Sequence, residues 1–422
     1  MTSDHTGNLW RAQDQNGYPR LTTDIHTDFL IVGGGYTGCS AALEAARCGA
    51  DVLLLEANTI GHGGSGRNVG LANAGMWVPP QEILKQLGQS EGMRMISSLA
   101  QAPDTVFGLI DREDISCEAT RNGTMHLAHA RSGLRDLQDR YRQGNQIGAP
   151  LQLLDTEETA RRTGSAAFHG ALFDPRAGTI QPLAYCRGLA RAASAAGARI
   201  FQNSPVKKIS RDGDGWRIQV NGHDVRAKRL LMATNGYHQA IEGMPATQYV
   251  SVRYSQFATV PLTQAQRARI LPGGEGCWDT ALVMSSIRMT QEGRLVIGGI
   301  GDCDGPGRLV HTRWAARKLA QLYPQLEGTP FEFAWQGQIA MTKDHLPKVL
   351  SLGPNALSVY GYSGRGIGPG TVYGMQAARA LLFDELDGLP SAILTQPHRE
   401  AFKGLRSAYY ETGATLTHAL PR

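Results

Sequence analysis

Residues 28–56 read DFLIVGGGYTGCSAALEAARCGADVLLLE, and this stretch decides the fold. The apolar run at 28–32 predicts a buried strand, Ala and Leu at helical spacing over 38–49 predict a helix, and residues 51–56 predict a second strand. A strand, a glycine turn, a helix and a strand in this order make a βαβ unit, whose two strands are parallel. The stretch therefore predicts a Rossmann-like domain.

The glycine turn inside this unit has the spacing G-x-G-x-x-G, with Gly33, Gly35 and Gly38 at its fixed positions. Such glycines allow a tight turn, a close approach of the backbone to a pyrophosphate, and close packing of the helix on the strand. The start of the helix offers N–H groups to phosphate oxygens. Glu56 ends the second strand, where a carboxylate can accept hydrogen bonds from ribose hydroxyls. This context favours a dinucleotide site over a merely structural turn, without separating FAD from NAD.

Composition narrows the class of protein. The chain has 422 residues, 41% of them hydrophobic, with a net charge of +5 and no long basic run, so we expect two domains and no nucleic-acid partner. The N-terminus is polar, no stretch is long and apolar enough for a membrane span, and the six cysteines show no metal spacing. We expect a cytoplasmic protein with reduced thiols and no metal. The sequence leaves peripheral membrane association and oligomeric state open.

The rest of the chain predicts a second domain of a different style. Residues 81–160 are mostly helical in pattern, whereas the alternating, aromatic-rich segments over 247–340 predict antiparallel strands. The expected fold class is α/β, or α+β over two domains: a Rossmann-like domain with a parallel sheet, and a substrate domain built on a mostly antiparallel sheet. The predicted boundaries are 25–80, 145–245 and 335–385 for the first domain, 81–144 and 246–334 for the second, 1–24 for an N-terminal arm and 386–422 for a C-terminal extension.

Several later segments carry a family resemblance. The loop GHGGSGRNVG (61–70), the segment RAGTIQP (176–182), the strand RLLMATNG (229–236) and the loop GYSGRG (361–366) accompany the fingerprint. Together they resemble the D-amino-acid oxidase superfamily of flavoenzymes, from about residue 27 to 385. Within it the chain is most similar to bacterial L-pipecolate oxidases. The segments that carry this likeness are IGHGGSGRNVGLANAG (60–75), GTMHLAH (123–129), RAGTIQP (176–182), WDTALVMSSIR (278–288), TKDHL (342–346), GYSGRG (361–366) and the ending at 405–413. It also resembles the γ-glutamylputrescine oxidase group.

The resemblance implies FAD as the cofactor. The residues implied to contact it are Gly33, Gly35, Tyr36, Thr37, Gly38, Glu56, Ala57, Gly64, Ser65, Gly66, Arg67, Asn68, Val69, Gly70, Leu71, Val206, Thr234, Gly236, Gly337, Gly361, Gly364, Arg365, Gly366 and Ile367. The sequence departs from sarcosine oxidases, because 335–340 lacks the Cys that binds flavin covalently in those enzymes. We therefore expect non-covalent FAD. Their carboxylate-binding Lys is also missing from the loop after Gly366, and Val296 stands near the position of their oxygen-activating Lys.

Substrate recognition must then come from other residues. Arg288, at the end of an apolar strand, and Arg365, in the loop expected over the flavin, are the candidates for binding a substrate carboxylate, because a guanidinium binds it bidentately. Arg253, Tyr254 and Trp278 are further candidates to line the site. For each of these residues an ordinary packing or surface role is the alternative.

The expected function is FAD-dependent oxidation of the C–N bond of a small secondary or cyclic amino acid, similar to L-pipecolate, to the imine. Oxygen or another acceptor would reoxidise the flavin. The alternative is oxidation of γ-glutamylputrescine or another amine. A third class, a flavin-bearing protein that binds a macromolecule or modifies RNA, is disfavoured because the sequence has no basic stripe or appended domain.

Overall fold

The computed structural model describes residues 7–11 and 17–420. Its strands, in chain order, are β1 (Ile25–Val32), β2 (Val52–Leu55), β3 (Leu71–Ala72), β4 (Thr124–Leu127), β5 (Gln152–Leu154), β6 (Ala171–Asp174), β7 (Gly178–Thr179), β8 (Arg199–Phe201), β9 (Val206–Asp212), β10 (Gly215–Val220), β11 (His223–Met232), β12 (Val250–Thr259), β13 (Gly276–Asp279), β14 (Ser285–Met289), β15 (Leu295–Ile300), β16 (Phe331–Met341), β17 (Lys348–Gly353), β18 (Ala356–Tyr360) and β19 (Ile393–Leu394). The helices are α1 (Tyr36–Arg47), α2 (Pro80–Ala100), α3 (Ala102–Arg112), α4 (Arg131–Gln146), α5 (Thr156–Thr163), α6 (Pro182–Ala195), α7 (Gln264–Arg267), α8 (Arg308–Leu322), α9 (Ile367–Phe383) and α10 (Lys403–Ala419).

The first sheet has a parallel centre. Strand β1 pairs in parallel with β2 and β11, β2 pairs in parallel with β8, and β11 pairs in parallel with β18. Residues 29–32 and 52–55 are buried throughout, as expected for strands covered on both faces. Strands β9 and β10 extend this sheet as an antiparallel arm beside β11.

Close helix packing covers one face of this sheet. A Cβ added to Gly374 of α9 would lie 2.3 Å from the carbonyl oxygen of Thr37 in α1, so only glycine lets these two helices approach so closely. The hydroxyl of Ser40 in α1 also donates to the carbonyl oxygen of Thr371 in α9 at 3.0 Å. The start of α1 is thereby fixed against the segment that follows β18.

The second sheet is mostly antiparallel. Its strands lie in the order β16-β12-β15-β14-β13-β4-β6-β5, and only the β13–β4 pair is parallel among the described residues. Its core includes Phe257, Ile297 and Tyr323, all fully buried. A mostly parallel sheet beside a mostly antiparallel one confirms the predicted fold class. No helix of the described residues is long and apolar enough to cross a membrane.

Sheet membership differs from the predicted domain boundaries in two places. Strands β5 and β6, which fall in the range 145–245 predicted for the first domain, pair in the second sheet. Strand β16 extends from Phe331 to Met341 and also pairs there, although 335–385 was predicted for the first domain. These long-range pairings depend on partners far along the chain, which a local pattern does not reveal. We propose boundaries that assign 152–174 and 331–341 to the second domain.

Candidate active site

A cavity of about 660 Å³ lies where the two sheets meet. Its one side is formed by turns that follow the carboxyl ends of β1, β2, β11 and β18, and its other side by one face of the second sheet. Ligands of open α/β sheets bind outside the carboxyl ends of the parallel strands. The cavity therefore lies where a cofactor of such a sheet is expected to bind.

The glycine turn after β1 has the geometry that its spacing predicts. Gly33 has φ +112°, a conformation that favours glycine. A Cβ on Gly38 would lie 1.9 Å from the carbonyl oxygen of Gly33, so the third glycine permits the close packing of helix and strand. Ser65 belongs to the glycine-rich loop at 61–70, which we call the second glycine loop. Its hydroxyl accepts from the N–H of Tyr36 at 3.1 Å and so connects that loop to the start of α1.

Glu56 lies on the cavity wall just after β2. Its two carboxylate oxygens accept from the N–H groups of Gly34 at 2.7 Å and Asn58 at 2.8 Å, which orients the side chain. Burial raises the pKa of this carboxyl above its ordinary value. Among the described residues it has no cationic partner, so its remaining lone pairs are available to hydroxyl donors. This environment fits a ribose.

Arg67 supplies positive charge beside the same turn. Its Nε donates to the carbonyl oxygen of His62 at 2.8 Å, and its guanidinium lies 5.9 Å from the ring centre of Tyr237. No carboxylate of residues 7–11 and 17–420 forms an ion pair with it. An uncompensated guanidinium next to the N-terminus of α1 suits a diphosphate, so the residues present fit FAD.

Most residues predicted to contact FAD lie on this cavity. Those that line it are Gly33, Gly35, Tyr36, Thr37, Glu56, Ala57, Gly64, Ser65, Arg67, Asn68, Val69, Leu71, Val206, Thr234, Gly337, Gly364, Arg365, Gly366 and Ile367. The exceptions, which do not line it, are Gly38, Gly66, Gly70, Gly236 and Gly361. For these five the contact with FAD stays a prediction, and at four of them, Gly38, Gly66, Gly70 and Gly361, another part of the chain packs close to the glycine. A Cβ on Gly66 would lie 2.3 Å from the carbonyl oxygen of Gly61, and one on Gly70 would lie 2.1 Å from that of Ile180.

An N-terminal segment holds the second glycine loop in place. The side-chain amide of Asn8 donates to the carbonyl oxygen of Gly66 at 2.7 Å, and the indole of Trp10 donates to that of Asn68 at 2.9 Å. Trp10 is buried, although the sequence predicts a polar arm here. The rest of the arm, at 1–6 and 12–16, lies outside the described residues. A single Trp in a polar stretch is the signal that could have revealed the contact.

Arg365, Trp278 and His126 form a stack on the substrate side of the cavity. The guanidinium of Arg365 lies 4.9 Å from the ring centre of Trp278, and the ring of His126 also stacks on Trp278, at 4.9 Å and 25°. Burial lowers the pKa of Arg365 to about 10, and it lowers the pKa of His126 well below its ordinary value. Arg365 is therefore still charged at neutral pH, whereas His126 is neutral.

Arg365 has few partners for a cation that is partly buried. Its Nη1 donates to the carbonyl oxygen of Ala74 at 2.9 Å, and no described carboxylate forms an ion pair with it. Removing a charge from water costs free energy unless a counter-ion pairs with it. An anionic group bound in the cavity would supply that pair.

Alternation along β12 decides which of its residues reach the cavity. Val252, Tyr254 and Gln256 line it, because side chains two apart share a face of the sheet. The Tyr254 hydroxyl donates to Ser286 Oγ at 3.1 Å. Arg253 lies on the opposite face, where it donates to Gln336 at 3.2 Å and does not line the cavity. The prediction that Arg253 lines the site needs correcting for this reason.

Gln256 was missed by the sequence analysis. Its Oε1 is buried without a hydrogen-bond partner, and the residue lines the cavity. Buried polar groups are normally paired, so this acceptor is suited to an N–H donor of a ligand. Its position two residues after Tyr254 on the same face is the signal that could have found it. His126 was missed as well, although it belongs to the quoted segment 123–129.

Arg288 is placed away from the cavity, which corrects the prediction that it meets a substrate carboxylate. It is almost completely buried, and its Nη1 donates to the carbonyl oxygens of Val69, at 3.1 Å, and Ile180. Its guanidinium also lies 5.4 Å from the ring centre of Trp10. Burial lowers its pKa to about 10, so it stays charged at neutral pH. The side chain of Arg288 therefore connects three segments of the chain, at Trp10, Val69 and Ile180.

Comparison with known proteins agrees with this architecture. Residues 28–380 match the family described as DAO: FAD dependent oxidoreductase. A probable oxidoreductase OrdL of Rhizobium meliloti is 32% identical, over 83% of this chain and 82% of the relative. The gamma-glutamylputrescine oxidoreductase of Escherichia coli is 28% identical, over 97% of this chain and 98% of the relative.

A solved structure shows the same fold. The crystal structure of glycine oxidase from Geobacillus kaustophilus superposes with a TM-score of 0.71 at 21% identity, over 85% of this chain and 95% of that one. The family match extends over most of the chain and includes the glycine turn, Glu56 and the loop at 361–366. The chain therefore belongs to the DAO family of FAD-dependent oxidoreductases.

Proposed function

We propose that this protein oxidises the C–N bond of a small amine or amino acid to the imine, with non-covalently bound FAD as the electron acceptor. When bound, FAD accepts a hydride from the carbon next to the amine nitrogen. The observation that carries the proposal is the charged, unpaired guanidinium of Arg365 on the cavity wall beside Trp278. It supports a substrate that combines an amine with an anionic group.

The substrate that we favour is γ-glutamylputrescine or a similar linear amine that carries a carboxylate. Similarity to the gamma-glutamylputrescine oxidoreductase over nearly the whole of both chains supports it. An L-pipecolate-like cyclic amino acid is the second candidate. It is supported by the quoted sequence segments and by the aromatic wall of Trp278 and Tyr254, against which a ring can pack.

The residues on the substrate side have separate tasks in this proposal. Arg365 pairs with the carboxylate, and the unpaired Oε1 of Gln256 accepts a hydrogen bond from the amine. Neutral His126 carries no charge that would repel or bind the substrate. Of the described carboxylates on the wall, Glu56 lies at the proposed ribose site, Asp136 is paired with Arg140 and Asp279 with Lys318, so we propose that the amine enters in its neutral form rather than losing a proton to a dedicated base.

Non-covalent binding is supported by the positions of the cysteines. All six lie in the described residues, and none lines the cavity. The segment 337–341 of β16 borders the cavity without offering a thiol.

Anaerobic bleaching of the bound flavin tests the proposal. The holoenzyme would be mixed without oxygen with γ-glutamylputrescine, putrescine, L-pipecolate, D-pipecolate and sarcosine, and the flavin absorbance would be followed. We expect fast bleaching by γ-glutamylputrescine, or by L-pipecolate if the second candidate is right, and slow bleaching by putrescine, which has no carboxylate. A flavin that none of these compounds reduces would overturn the proposal.

A further inference from the structure

A second, smaller chamber lies behind the stack of Arg365, Trp278 and His126. Its volume is about 130 Å³. Asn73, His126, Arg140, Trp278 and Arg365 line both this chamber and the main cavity. The two spaces are therefore separated only by a wall of side chains, and that wall is the part of the site where the substrate is proposed to bind.

The lining beyond the wall is mostly apolar, and the charged side chains in it, Asp174 and Arg176, form an ion pair with each other at 2.7 Å. It includes Met76, Val78, Ile83, Met95 and Leu99, all of which are buried. These side chains come from 76–100, the segment that leads into α2 and runs along it. Because Asp174 and Arg176 are already paired with each other, the lining offers few of the two to four polar partners that an ordered water needs, so an apolar group is the better occupant.

Size limits what the chamber can take. An apolar cavity of about 150 Å³ holds a molecule as large as benzene. The 130 Å³ chamber is close to that volume, so a group of about four to six carbons would fill it.

The polar groups of the wall fix the orientation of such a ligand. Arg140 is held by Asp136 at 2.8 Å and by the carbonyl oxygen of Trp77 at 2.6 Å, whereas Arg365 has no described carboxylate as a partner. A polar head group would stay in the main cavity, with its anion at Arg365. The apolar part would extend past Trp278 into the chamber, where burial of each methylene is favourable.

We propose that this chamber is a specificity subsite that binds an apolar substituent, of about four to six carbons, of the amine substrate. The inference rests on the proposed amine oxidation and deepens it. The chamber selects the substrate by the length and bulk of its apolar part, while Arg365 and the flavin act on the head group.

Substitutions at Val78 test the subsite in the holoenzyme. The probes are straight-chain α-amino acids, which carry the carboxylate that Arg365 is proposed to bind and differ from one another only in the number of apolar carbons. The rate of anaerobic flavin reduction over the apparent Kd would be measured for each. Val78→Phe fills the chamber, and we expect it to lower this ratio for the longest members about tenfold or more, the loss when roughly two methylenes can no longer be buried. The shortest members should change less than about threefold, because the head group is untouched.

Val78→Ala provides the opposite change and remains informative if the larger side chain prevents folding. We expect it to move the preference of the enzyme towards members one or two carbons longer. Val225→Ala is the matched control, because Val225 is a buried valine in the core around β11, away from both spaces. It should leave the length preference unchanged.

Failure of the subsite and failure of the proposed amine oxidation give different results. Bleaching by the amines with an unchanged length preference in both Val78 variants would overturn the subsite alone. Slower reoxidation by oxygen in Val78→Phe, without a change in amine preference, would also overturn it and make the chamber an oxygen path. A flavin that no amine reduces would overturn both the subsite and the proposed function.

Discussion

Two arginines with the same expected role lie in opposite environments. Arg288 is enclosed by backbone carbonyls and by Trp10, whereas Arg365 lies on the cavity wall with its charge unpaired by any described carboxylate. Both follow short apolar or glycine-rich segments, so local sequence does not distinguish them. The distinction comes from which segments pack around each guanidinium.

Replacement of Arg365 should damage substrate binding and leave the fold intact. Loss of a partly desolvated charge pair costs about 2–5 kcal/mol. We expect Arg365→Ala to lower kcat/KM for a substrate with a carboxylate by roughly thirtyfold or more, and to affect an uncharged analogue much less. Steady-state kinetics on the two substrates measures this. Equal losses on both would show that Arg365 does not bind the carboxylate.

Arg288→Met is the matched comparison, because it removes the guanidinium of the other arginine with the same expected role. We expect a loss of stability, since the carbonyls of Val69 and Ile180 lose their donor at a cost on the order of 1–3 kcal/mol each. Urea unfolding would detect the change, with kcat/KM for the folded fraction affected equally for charged and uncharged substrates. A fall in kcat/KM for the carboxylate substrate alone would show that Arg288 does bind the substrate carboxylate.

Replacement of Glu56 should weaken FAD binding. A hydrogen-bonded charged acceptor contributes about 1.5–3 kcal/mol, so we expect Glu56→Ala to raise the Kd for FAD roughly tenfold to a hundredfold. Glu56→Gln keeps one acceptor oxygen and should lose less. Titration of the apoprotein by flavin fluorescence gives both values, and circular dichroism checks the fold. An unchanged Kd for FAD in the Ala variant would show that Glu56 does not bind the ribose.

At the scale of elements, the C-terminal helix α10 is attached by a buried histidine. The Nδ1 atoms of His418 and His311 lie 2.8 Å apart, and the ring of His418 stacks on Trp314 at 3.9 Å. Tyr410 of the same helix lines the cavity, so the attachment of α10 also shapes the site. Burial, followed by the charges of His311 and Arg317, lowers the pKa of His418 to about 3.

This attachment should be sensitive to acid. A pKa of about 3 in the folded protein lies below the ordinary value of 6.5, so between these values the unfolded chain binds the proton more strongly. The contribution of His418 to the free energy of unfolding is therefore fully present above about pH 6.5. Below that pH it falls, by up to about 1.4 kcal/mol per pH unit. We expect His418→Phe, which can keep the stack on Trp314, to lose less stability between pH 7 and pH 5. Urea unfolding at both pH values measures this.

Other histidines with lowered pKa values serve as the internal control. Burial, with Arg67 and Arg11, lowers the pKa of His62 to about 4, and that contribution is the same with and without His418. The difference between the two proteins therefore isolates His418 together with its partner His311. An identical acid loss in both would contradict the assignment.

At the scale of the whole molecule, the cofactor side and the substrate side come from different sheets. The first sheet supplies turns at the carboxyl ends of its parallel strands, and the second supplies one face of an antiparallel sheet. Neither sheet encloses the cavity alone. The N-terminal segment at 7–11 adds hydrogen bonds to the glycine loop from outside both sheets.

This arrangement predicts complete release of the flavin on unfolding. Since no cysteine lines the cavity, nothing among the thiols can tether FAD once the two sheets separate. Acid precipitation of the holoenzyme should leave all of the yellow colour in the supernatant. Flavin absorbance that stays with the washed pellet would contradict non-covalent binding.

The sequence by itself determined the βαβ unit, the position of Glu56 and the two-sheet fold class, because glycine spacing and continuous apolar runs act locally. Only the tertiary structure decided that Arg288 is buried away from the cavity, that the face of β12 with Tyr254 and not the face with Arg253 lines the cavity, and that Gln256 has an unpaired oxygen on the wall. The physical reason is that burial, pairing and facing depend on segments hundreds of residues apart, such as the contact of Arg288 with Val69.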